Sequence, residues 1–430
     1  MLFQHSQDQS DAIDSICDIL IGTPADKSGV AVLTGSAGTG KTTVLDEIIN
    51  RIIRCAPLLP ICLAATTHRA ASVLQQIVNR PVTTGHSLFK LRPSISARGN
   101  ETLISTGPLT VPFGAIVIID EASMIGNKFL KAIVDIVQKR ALKVLFVGDP
   151  FQLAPPKDKC SIFDGSLPTF KLTQIHRQAG GNPILEKANE FREYIQGLRQ
   201  EMPILGTELN WLGEGIHILS HGDFVTKFVD KYMDYSAGAD VDMPLCTYTN
   251  ESAIGYNSMI RKAAYFLEGT IQPFYPQEQL ISNSSVMQGE QPLLTNNEIV
   301  YVKSYEAGKL EEIPGYYVTV KGSFGLQTGR DTKVVFVPQN KAAADKILDV
   351  YKLNAKQGES RGWLKYYNLK NQLADLRPPF AGTTHKAQGG TFPAVFIDKT
   401  NIDKCHLASI KARLMYVALT RATTHVYINS

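Results

Sequence analysis

The chain has 430 residues, 44% of them apolar, and a net charge of +4 from 44 basic and 40 acidic side chains. These values are typical of a globular protein with two to three domains, and they neither require nor exclude a nucleic-acid partner, since a basic groove can lie within a balanced total. No run approaches the ~18 apolar residues of a membrane span, and the polar, acidic start at Met1–Asp14 is not a secretory signal. The six scattered cysteines indicate reduced thiols in a cytosolic protein.

The first part of the chain alternates apolar strands with amphipathic helices. After a predicted helix at Ser10–Leu20, the strands are Val30–Leu33, Ile61–Ala65, Ala115–Ile119 and Lys143–Val147, and the helices are Thr42–Ile53, His68–Val78 and Lys128–Gln138. Continuous apolar strands separated by helices indicate a parallel sheet that is covered on both faces. The polar stretch Lys90–Pro112, with an apolar centre at Leu103 and Ile104, interrupts this pattern and is interpreted as an insertion that projects from the domain.

A glycine-rich loop connects the first of these strands to the helix that follows. Residues 35–42 read G-S-A-G-T-G-K-T, a complete G-x-x-x-x-G-K-[ST] motif in the strand–loop–helix context that it requires. Backbone amides of such a loop and the helix N-terminus bind phosphate. Lys41 can reach the β- and γ-phosphates, and the Thr42 hydroxyl can ligate Mg²⁺. The loop therefore predicts a nucleoside triphosphate as ligand.

Polar residues follow the third and fourth strands of the predicted sheet. Asp120 and Glu121 come directly after an apolar strand, where ligands of parallel sheets bind. One carboxylate can hold Mg²⁺, and the other can deprotonate a water that attacks the γ-phosphate. The segment Gly148–Leu153 ends the next strand, and its Gln152 can contact the γ-phosphate; the alternative is a polar turn.

A second α/β unit is predicted from about Ile184, with an interruption of different character. Its strands are Pro244–Tyr248, Ala394–Asp398 and His425–Asn429; the interruption has short strands at Glu298–Tyr305, Gly315–Lys321 and Thr332–Val337 and two helices within Lys341–Leu376 that are broken near Gly358. Two arginines stand out by context, Arg177 in Leu172–Arg177 and Arg421 in Tyr416–Arg421. A desolvated guanidinium stabilises the charge that develops in phosphoryl transfer, whereas a lone arginine is more often a surface charge.

Six motifs of this chain occur in a fixed order: GSAGTGKTT, VIIDEASM, GDPFQLAPP, LTQIHRQ, GTTHKAQGGTF and YVALTRA. In this order they resemble the helicases of superfamily one, in the 5′-to-3′ branch that includes the phage Dda type and the RecD-like helicases. The resemblance runs from about Gln9 to His425. It implies an α/β fold with two RecA-like P-loop domains built on parallel sheets, a small pin insertion, and an SH3-like β-barrel with a helical extension.

The resemblance also implies domain boundaries. The first RecA-like domain is residues 1–183, with the phosphate loop and a strand-separating pin at about 90–112. The second is residues 184–290 and 377–430, and residues 291–376 form the barrel and a helical hairpin.

The resemblance assigns roles at an ATP site. Glu121 is the catalytic base, Asp120 and Thr42 bind Mg²⁺, and Gln9 reads adenine. Other residues bind the phosphates, through the loop or as groups that approach the γ-phosphate: Gly38, Thr39, Gly40, Lys41, Thr42 and Thr43 in the loop, and Gln152, Arg177 and Arg421 outside it. The cofactors are thus ATP and Mg²⁺.

The resemblance assigns a second set of residues to DNA. Contacts to phosphate and sugar fall to Thr66, Thr67, His68 and His86 in the first domain and to Asn250, Thr384 and His385 in the second, and the pin carries Leu103 and Ile104 at its tip. Such contacts position the strand but carry no sequence information.

The resemblance implies an ATP-dependent helicase and translocase that moves 5′ to 3′ on single-stranded DNA and unwinds duplex. Its expected partners are single-stranded DNA, fork duplex and a single-strand-binding or replication protein, with no membrane; we expect a functional monomer, cytoplasmic, of the phage type that acts in a bacterial host. One alternative is a translocase that displaces proteins from DNA and unwinds poorly, because the aliphatic pair Leu103–Ile104 stacks poorly on a base pair. Another is a regulatory nucleotide-binding module without motor activity.

Overall fold

The computed structural model describes residues 5–24, 26–95, 101–155, 158–174, 181–232, 244–265, 272–289, 291–322, 332–357 and 362–430. The helices are α1 (Gln7–Gly22), α2 (Lys41–Cys55), α3 (His68–Val78), α4 (Gly85–Leu88), α5 (Asn127–Arg140), α6 (Pro183–Gln196), α7 (His221–Lys231), α8 (Asn250–Tyr265), α9 (Lys341–Lys356), α10 (Gly362–Gln372), α11 (Thr384–Ala387), α12 (Lys399–Ile402) and α13 (Ala408–Leu419).

The strands are β1 (Gly29–Gly35), β2 (Ile61–Ala65), β3 (Val82–Thr84), β4 (Leu91–Ile95), β5 (Glu101–Ser105), β6 (Ile116–Asp120), β7 (Lys143–Gly148), β8 (Thr169–Leu172), β9 (Glu208–Leu209), β10 (Gly215–Leu219), β11 (Leu245–Thr247), β12 (Gln279–Ser282), β13 (Val286–Gln288), β14 (Gln291–Leu294), β15 (Ile299–Leu310), β16 (Ile313–Gly322), β17 (Thr332–Pro338), β18 (Leu376–Arg377), β19 (Ala381–Thr383), β20 (Phe392–Ile397) and β21 (Ala422–Asn429).

The chain divides into two compact units. The first consists of Met1–Ser94, Thr102–Leu219 and Thr384–Ser430, and the second of Ile95–Glu101 and Ser220–Thr383. The C-terminal segment from Thr384, which the sequence assigns to the second domain, thus clusters in space with the phosphate loop.

The first unit is built around a six-stranded parallel sheet in the order β3-β2-β6-β7-β1-β8. One core cluster packs α1 and α2 against the sheet through residues such as Ile16 and Ile48. The other packs α5 against it through Phe129 and Ile133. The predicted parallel sheet with both faces covered is therefore confirmed, because a core cluster packs on each face.

The C-terminal part of the first unit forms a further group of strands. β20 pairs with β21, and β21 with β10, all in parallel, while β9 adds to β10 in antiparallel orientation. The predicted strands at 394–398 and 425–429 are confirmed, whereas β10 escaped prediction because its five residues include a half-buried histidine between the apolar ones. α6 packs against α13, and its Asn182 N-cap donates to the carbonyl of Thr423 at 3.0 Å.

The second unit contains a five-stranded sheet in the order β17-β16-β15-β12-β18 with antiparallel pairs. The strands predicted at 298–337 are confirmed and are longer than expected in β15 and β16. α9 and α10 pack over this sheet through Leu348, Tyr366 and Leu369. Elsewhere in this unit β11 pairs with β19 in parallel. The predicted helix break at Gly358 lies outside the described residues.

The insertion in the first α/β pattern contains a two-stranded hairpin, β4 and β5. The expectation that Leu103 and Ile104 form its tip is wrong, since both lie within β5. Leu103 is partly buried against the core cluster that contains Phe89 and Phe129. Burial of its apolar surface stabilises this end of the hairpin, which is why this side chain points into the protein.

Among the residues described above, we find no helix long and apolar enough to cross a bilayer.

Candidate functional site

The phosphate loop lies between β1 and α2, with glycines where the backbone turns into the left-handed region. Gly38 has φ 84° and Gly40, the N-cap of α2, has φ 78°. A Cβ atom at Gly40 would lie 2.7 Å from Nε2 of Gln9. Both the backbone angle and this close approach therefore require glycine at Gly40.

Gln9 is fully buried beneath the loop. Its Nε2 donates to the Thr39 carbonyl at 3.1 Å, and its Oε1 accepts from the Ser6 amide at 3.1 Å. The Thr39 hydroxyl donates in turn to the Ser36 carbonyl at 2.9 Å. Gln9 thus contacts the loop backbone, and its proposed contact with adenine stays a prediction. Thr43, in the first turn of α2, is exposed.

The Lys41 ammonium lies across the start of the loop. Its Nζ donates to the carbonyls of Gly35 at 2.7 Å and Ser36 at 3.0 Å. A cation at this place, together with the N-terminus of α2, gives the loop a positive potential. The loop is therefore electrostatically prepared for phosphate.

The acidic pair lies at the carboxyl end of β6, in the same sheet as β1. Asp120 pairs in register with Ala65, and its Oδ1 accepts from the Glu121 amide at 2.8 Å. Burial, and secondarily the charge of Glu121, raise the pKa of Asp120 well above its usual range, while Lys41 opposes this. Glu121 has φ 53°, an uncommon conformation for a non-glycine residue that turns the chain directly after the strand, and its carbonyl accepts from the Thr66 hydroxyl at 3.2 Å.

These groups fit a magnesium ion. Thr42 offers a hydroxyl and Asp120 a carboxylate that burial makes costly to ionise alone, and a divalent cation would stabilise its charged form. Among the described residues no group of three or more His, Cys, Asp or Glu could hold a metal. A site with one or two protein ligands suits Mg²⁺, which retains waters and binds substrate phosphates.

The segment after β7 is held by helix α13, and sequence reasoning missed the residues that do this. Arg413 Nη1 donates to the carbonyls of Pro150 at 2.7 Å and Gln152 at 2.8 Å. One helical turn later, the Tyr416 hydroxyl donates to Oδ2 of the buried Asp149 at 2.5 Å and accepts from the Ala37 amide at 3.3 Å. Their i, i+3 spacing on one helix face was the available signal.

Gln152 is buried in this segment. Its Oε1 accepts from Nε2 of Gln388 at 3.2 Å, and Gln388 also donates to the Leu153 carbonyl at 3.3 Å. Gln388 belongs to the GTTHKAQGGTF motif, although sequence reasoning gave it no role. The contact therefore joins two of the six motifs.

Tyr416→Phe is expected to destabilise the first unit by about 1–3 kcal/mol, because the Asp149 carboxylate loses a donor in a buried position. Urea denaturation followed by circular dichroism measures the change. Tyr194→Phe is the matched control, since the Tyr194 hydroxyl has no hydrogen-bond partner within the described part of the chain. Equal stability of the two variants would contradict a structural role for the Tyr416 hydroxyl.

Of the two arginines predicted to approach the γ-phosphate, the structure describes the surroundings of one. Arg177 lies outside the described residues. Arg421 is buried, and its guanidinium donates to the carbonyls of Val417 and Gly390 at 3.2 and 3.1 Å and to the Thr420 hydroxyl at 3.2 Å. In this conformation it stabilises the turn between α13 and β21, and a role at the γ-phosphate stays a prediction.

The residues predicted to contact DNA cluster in part at the N-terminus of α3. Thr67 caps this helix by accepting from the Ala70 amide at 3.1 Å, and Thr66 and His68 flank it. A Cβ atom at Gly389, shortly after Thr384 and His385, would lie 2.9 Å from Ala70. The segment that begins at Thr384 thus packs on the same helix end.

The remaining DNA candidates have separate surroundings. The His86 ring stacks on Phe129 with ring centroids 4.0 Å apart, and burial lowers the pKa of His86, as it does for His385. Both rings are therefore suited to neutral hydrogen bonding at pH 7. Asn250, in the second unit, is exposed and accepts from Arg377 at 3.1 Å.

Two family models match the chain. One, described as AAA domain, matches residues 4–218, which is half of the chain. The other, described as UvrD-like helicase C-terminal domain, matches residues 379–429. The two matches together include all six motifs in full. The catalytic candidates from Lys41 to Arg177 lie in the first match, and Arg421 lies in the second.

Individual relatives are more distant. The chain is 23% identical to the ATP-dependent DNA helicase dda of Enterobacteria phage T4, over 95% of this chain and 96% of that protein. It is 34% identical over 163 residues to the ATP-dependent RecD2 DNA helicase of Deinococcus radiodurans, or 37% of this chain and 21% of that protein. The crystal structure of Pif1 helicase from Candida albicans aligns with a TM-score of 0.50 at 16% identity, covering 100% of this chain and 95% of that chain, which shows a shared fold.

Proposed function

The chain belongs to the AAA domain family, and we propose that it is an ATP-dependent DNA helicase of superfamily one that moves 5′ to 3′ on single-stranded DNA. One observation carries the proposal: the phosphate loop, the Asp120–Glu121 pair and the Gln152 segment lie on neighbouring strands of one parallel sheet. The relationship predicted from the six motifs is confirmed by the similarity to the dda and RecD2 helicases.

The residues of this sheet edge support ATP hydrolysis. The loop amides and Lys41 bind the phosphates and orient the γ-phosphorus for attack. A water oxygen bonds to that phosphorus while the bond to the β–γ bridging oxygen breaks, and ADP leaves with the electron pair. Glu121 takes the proton of the water. This residue directly follows β6, and its carboxylate is not occupied by a helix-capping hydrogen bond.

Thr42 and Asp120 would hold Mg²⁺ on the phosphate side of this edge. When bound, the ion neutralises charge on the phosphate oxygens. The proposed role of Asp120 is to bind the cation, whose charge would offset the burial that raises the pKa of Asp120. The proposed role of Glu121 is to remain available as the base.

The proposed DNA contacts lie at the N-terminus of α3 and in the segment from Thr384. Threonine hydroxyls and the neutral rings of His86 and His385 suit phosphate and sugar oxygens and give binding without sequence preference. We assign the five-stranded sheet with α9 and α10 to an SH3-like domain with its helical extension, and the β4–β5 hairpin to a pin.

One observation favours a second candidate, a translocase that displaces proteins and separates duplex poorly. Leu103, one of the two apolar residues predicted for the tip of the pin, instead lies partly buried against a core cluster. A hairpin without an apolar wedge from this pair would open base pairs less efficiently. A regulatory module without motor activity is disfavoured, because Lys41, Asp120 and Glu121 are all present at the sheet edge.

Unwinding of duplexes with a single 5′ or 3′ tail tests the proposal. With ATP, Mg²⁺ and a trap strand, we expect displacement from the 5′-tailed substrate only. The yield should fall as salt rises, because backbone contacts dominate binding. Unwinding of only the 3′-tailed substrate would contradict the direction and leave the ATP site intact.

A streptavidin block on 5′-tailed single strands separates the two candidates. Rapid displacement of streptavidin together with slow duplex separation would favour the translocase. Absence of DNA-stimulated hydrolysis by the unmodified protein would contradict both.

A further inference from the structure

An arginine on helix α6 reaches the phosphate loop, although no motif of the sequence includes it. Arg192 lies in the C-terminal half of α6, directly after the buried Phe191. Its Nη1 donates to the Ser36 hydroxyl at 2.7 Å. The start of the helix is fixed by Asn182, which caps it and bonds to Thr423, so that Arg192 is aimed by a rigid element.

The guanidinium is incompletely satisfied in this position. Its Nε is buried and has no hydrogen-bond partner among the described residues, and none of their carboxylates forms an ion pair with it. A buried donor without a partner costs free energy, and the cost is larger for a charged group. The Arg192 guanidinium can therefore accommodate an anionic ligand.

A second cation converges on the same residue. Lys41 Nζ binds the Ser36 carbonyl at 3.0 Å, while Arg192 binds the Ser36 hydroxyl. Two positive groups at one residue repel each other unless an anion lies between them. Because Lys41 is the lysine of a phosphate-binding motif, the anion expected here is a phosphate.

A small cavity of about 140 Å³ adjoins these groups. It is lined by the end of β1, by Phe151 after β7, and by the side chains of Lys171 and Arg192. Burial and Asp149 raise the pKa of the Tyr416 hydroxyl well above its usual range, and the nearby charge of Arg192 opposes this shift. Arg192, Tyr416 and the Ala37 amide thus surround the same side of the loop.

We propose that Arg192 binds the terminal phosphate of ATP, as a residue additional to Lys41 and to the arginines of the motifs. This rests on the proposed function. The planar guanidinium keeps or exchanges its bond to Ser36 and gives its remaining donors to γ-phosphate oxygens. These bonds strengthen as charge moves onto those oxygens and the bridging oxygen in hydrolysis. ADP lacks the group that Arg192 recognises.

Arg192→Gln, compared with Arg199→Gln, tests the proposal. Arg199 lies just beyond the same helix and pairs with Glu190 on the surface. We expect Arg192→Gln to weaken binding of ADP–aluminium fluoride and of ATPγS by about 10- to 100-fold, because charge-assisted bonds are lost. Affinity for ADP should stay within about threefold. The Arg199→Gln protein should resemble the unmodified protein in all three titrations.

Further measurements distinguish a failure of the Arg192 proposal from a failure of the proposed helicase function. Arg192→Lys keeps the charge but not the planar fork. Its affinity for the two analogues should lie between that of the unmodified protein and that of Arg192→Gln. An equal loss of ADP and analogue affinity would mean that Arg192 only supports the loop, and an unchanged analogue affinity would also overturn the proposal. Nucleotide titrations need no motor activity, so a failure of DNA-stimulated hydrolysis in the unmodified protein would contradict the helicase proposal alone.

Discussion

Arg421→Ala is expected to slow ATP hydrolysis on saturating single-stranded DNA by about 10³-fold, because a guanidinium that stabilises the transferred phosphoryl group is lost. Nucleotide affinity should fall much less. In the structure, Arg421 is buried and donates to Val417, Gly390 and Thr420. To act at the γ-phosphate it must exchange some of these bonds, so ATP binding and the turn before β21 are expected to be coupled.

Single-turnover hydrolysis and titration with a fluorescent ADP measure the two effects. Because the substitution also removes three hydrogen bonds, thermal unfolding is measured in parallel, and Arg421→Lys keeps the charge while losing the fork. Arg51→Ala, which removes an exposed ion pair with Asp14, is the control. If Arg421→Ala hydrolyses ATP normally, the residue has only the structural role seen here.

Glu121→Gln is expected to lower kcat by about 10²-fold or more while ATP still binds, since only the proton acceptor is lost. Glutamine has nearly the same shape, and the backbone bond from Thr66 to the Glu121 carbonyl does not involve the side chain. The variant should therefore fold normally and accumulate in the ATP-bound state. Rapid-quench hydrolysis and equilibrium ATP binding measure these quantities.

Glu47→Gln is a suitable control for this change, because Glu47 lies on the exposed side of α2 in an ion pair with Arg54. We expect no effect of Glu47→Gln on turnover, since surface ion pairs contribute little. Near-normal turnover of Glu121→Gln would contradict the assignment of the base. A loss of ATP binding would instead indicate that Glu121 positions the loop.

The sequence was sufficient for the parallel sheet and for the residues at its carboxyl edge. Lys41, Asp120 and Glu121 lie directly beside the strands that position them, so a buried apolar run and the polar residue after it predict the site together. The strands of the second unit's sheet were likewise visible, because β-branched and aromatic residues alternate there.

Contacts between distant parts of the chain could not be predicted in this way. Leu103 was assigned to a projecting tip, but long-range packing placed it, partly buried, against a core cluster. The contact of Arg192 with Ser36 spans 156 residues, and that of Tyr416 with Ala37 spans 379. Local spacing fixes which face of an element a residue occupies, because helix and strand periods are set by the backbone. Which elements face each other depends on how the apolar surfaces of all of them are buried together, and only the folded chain decides this.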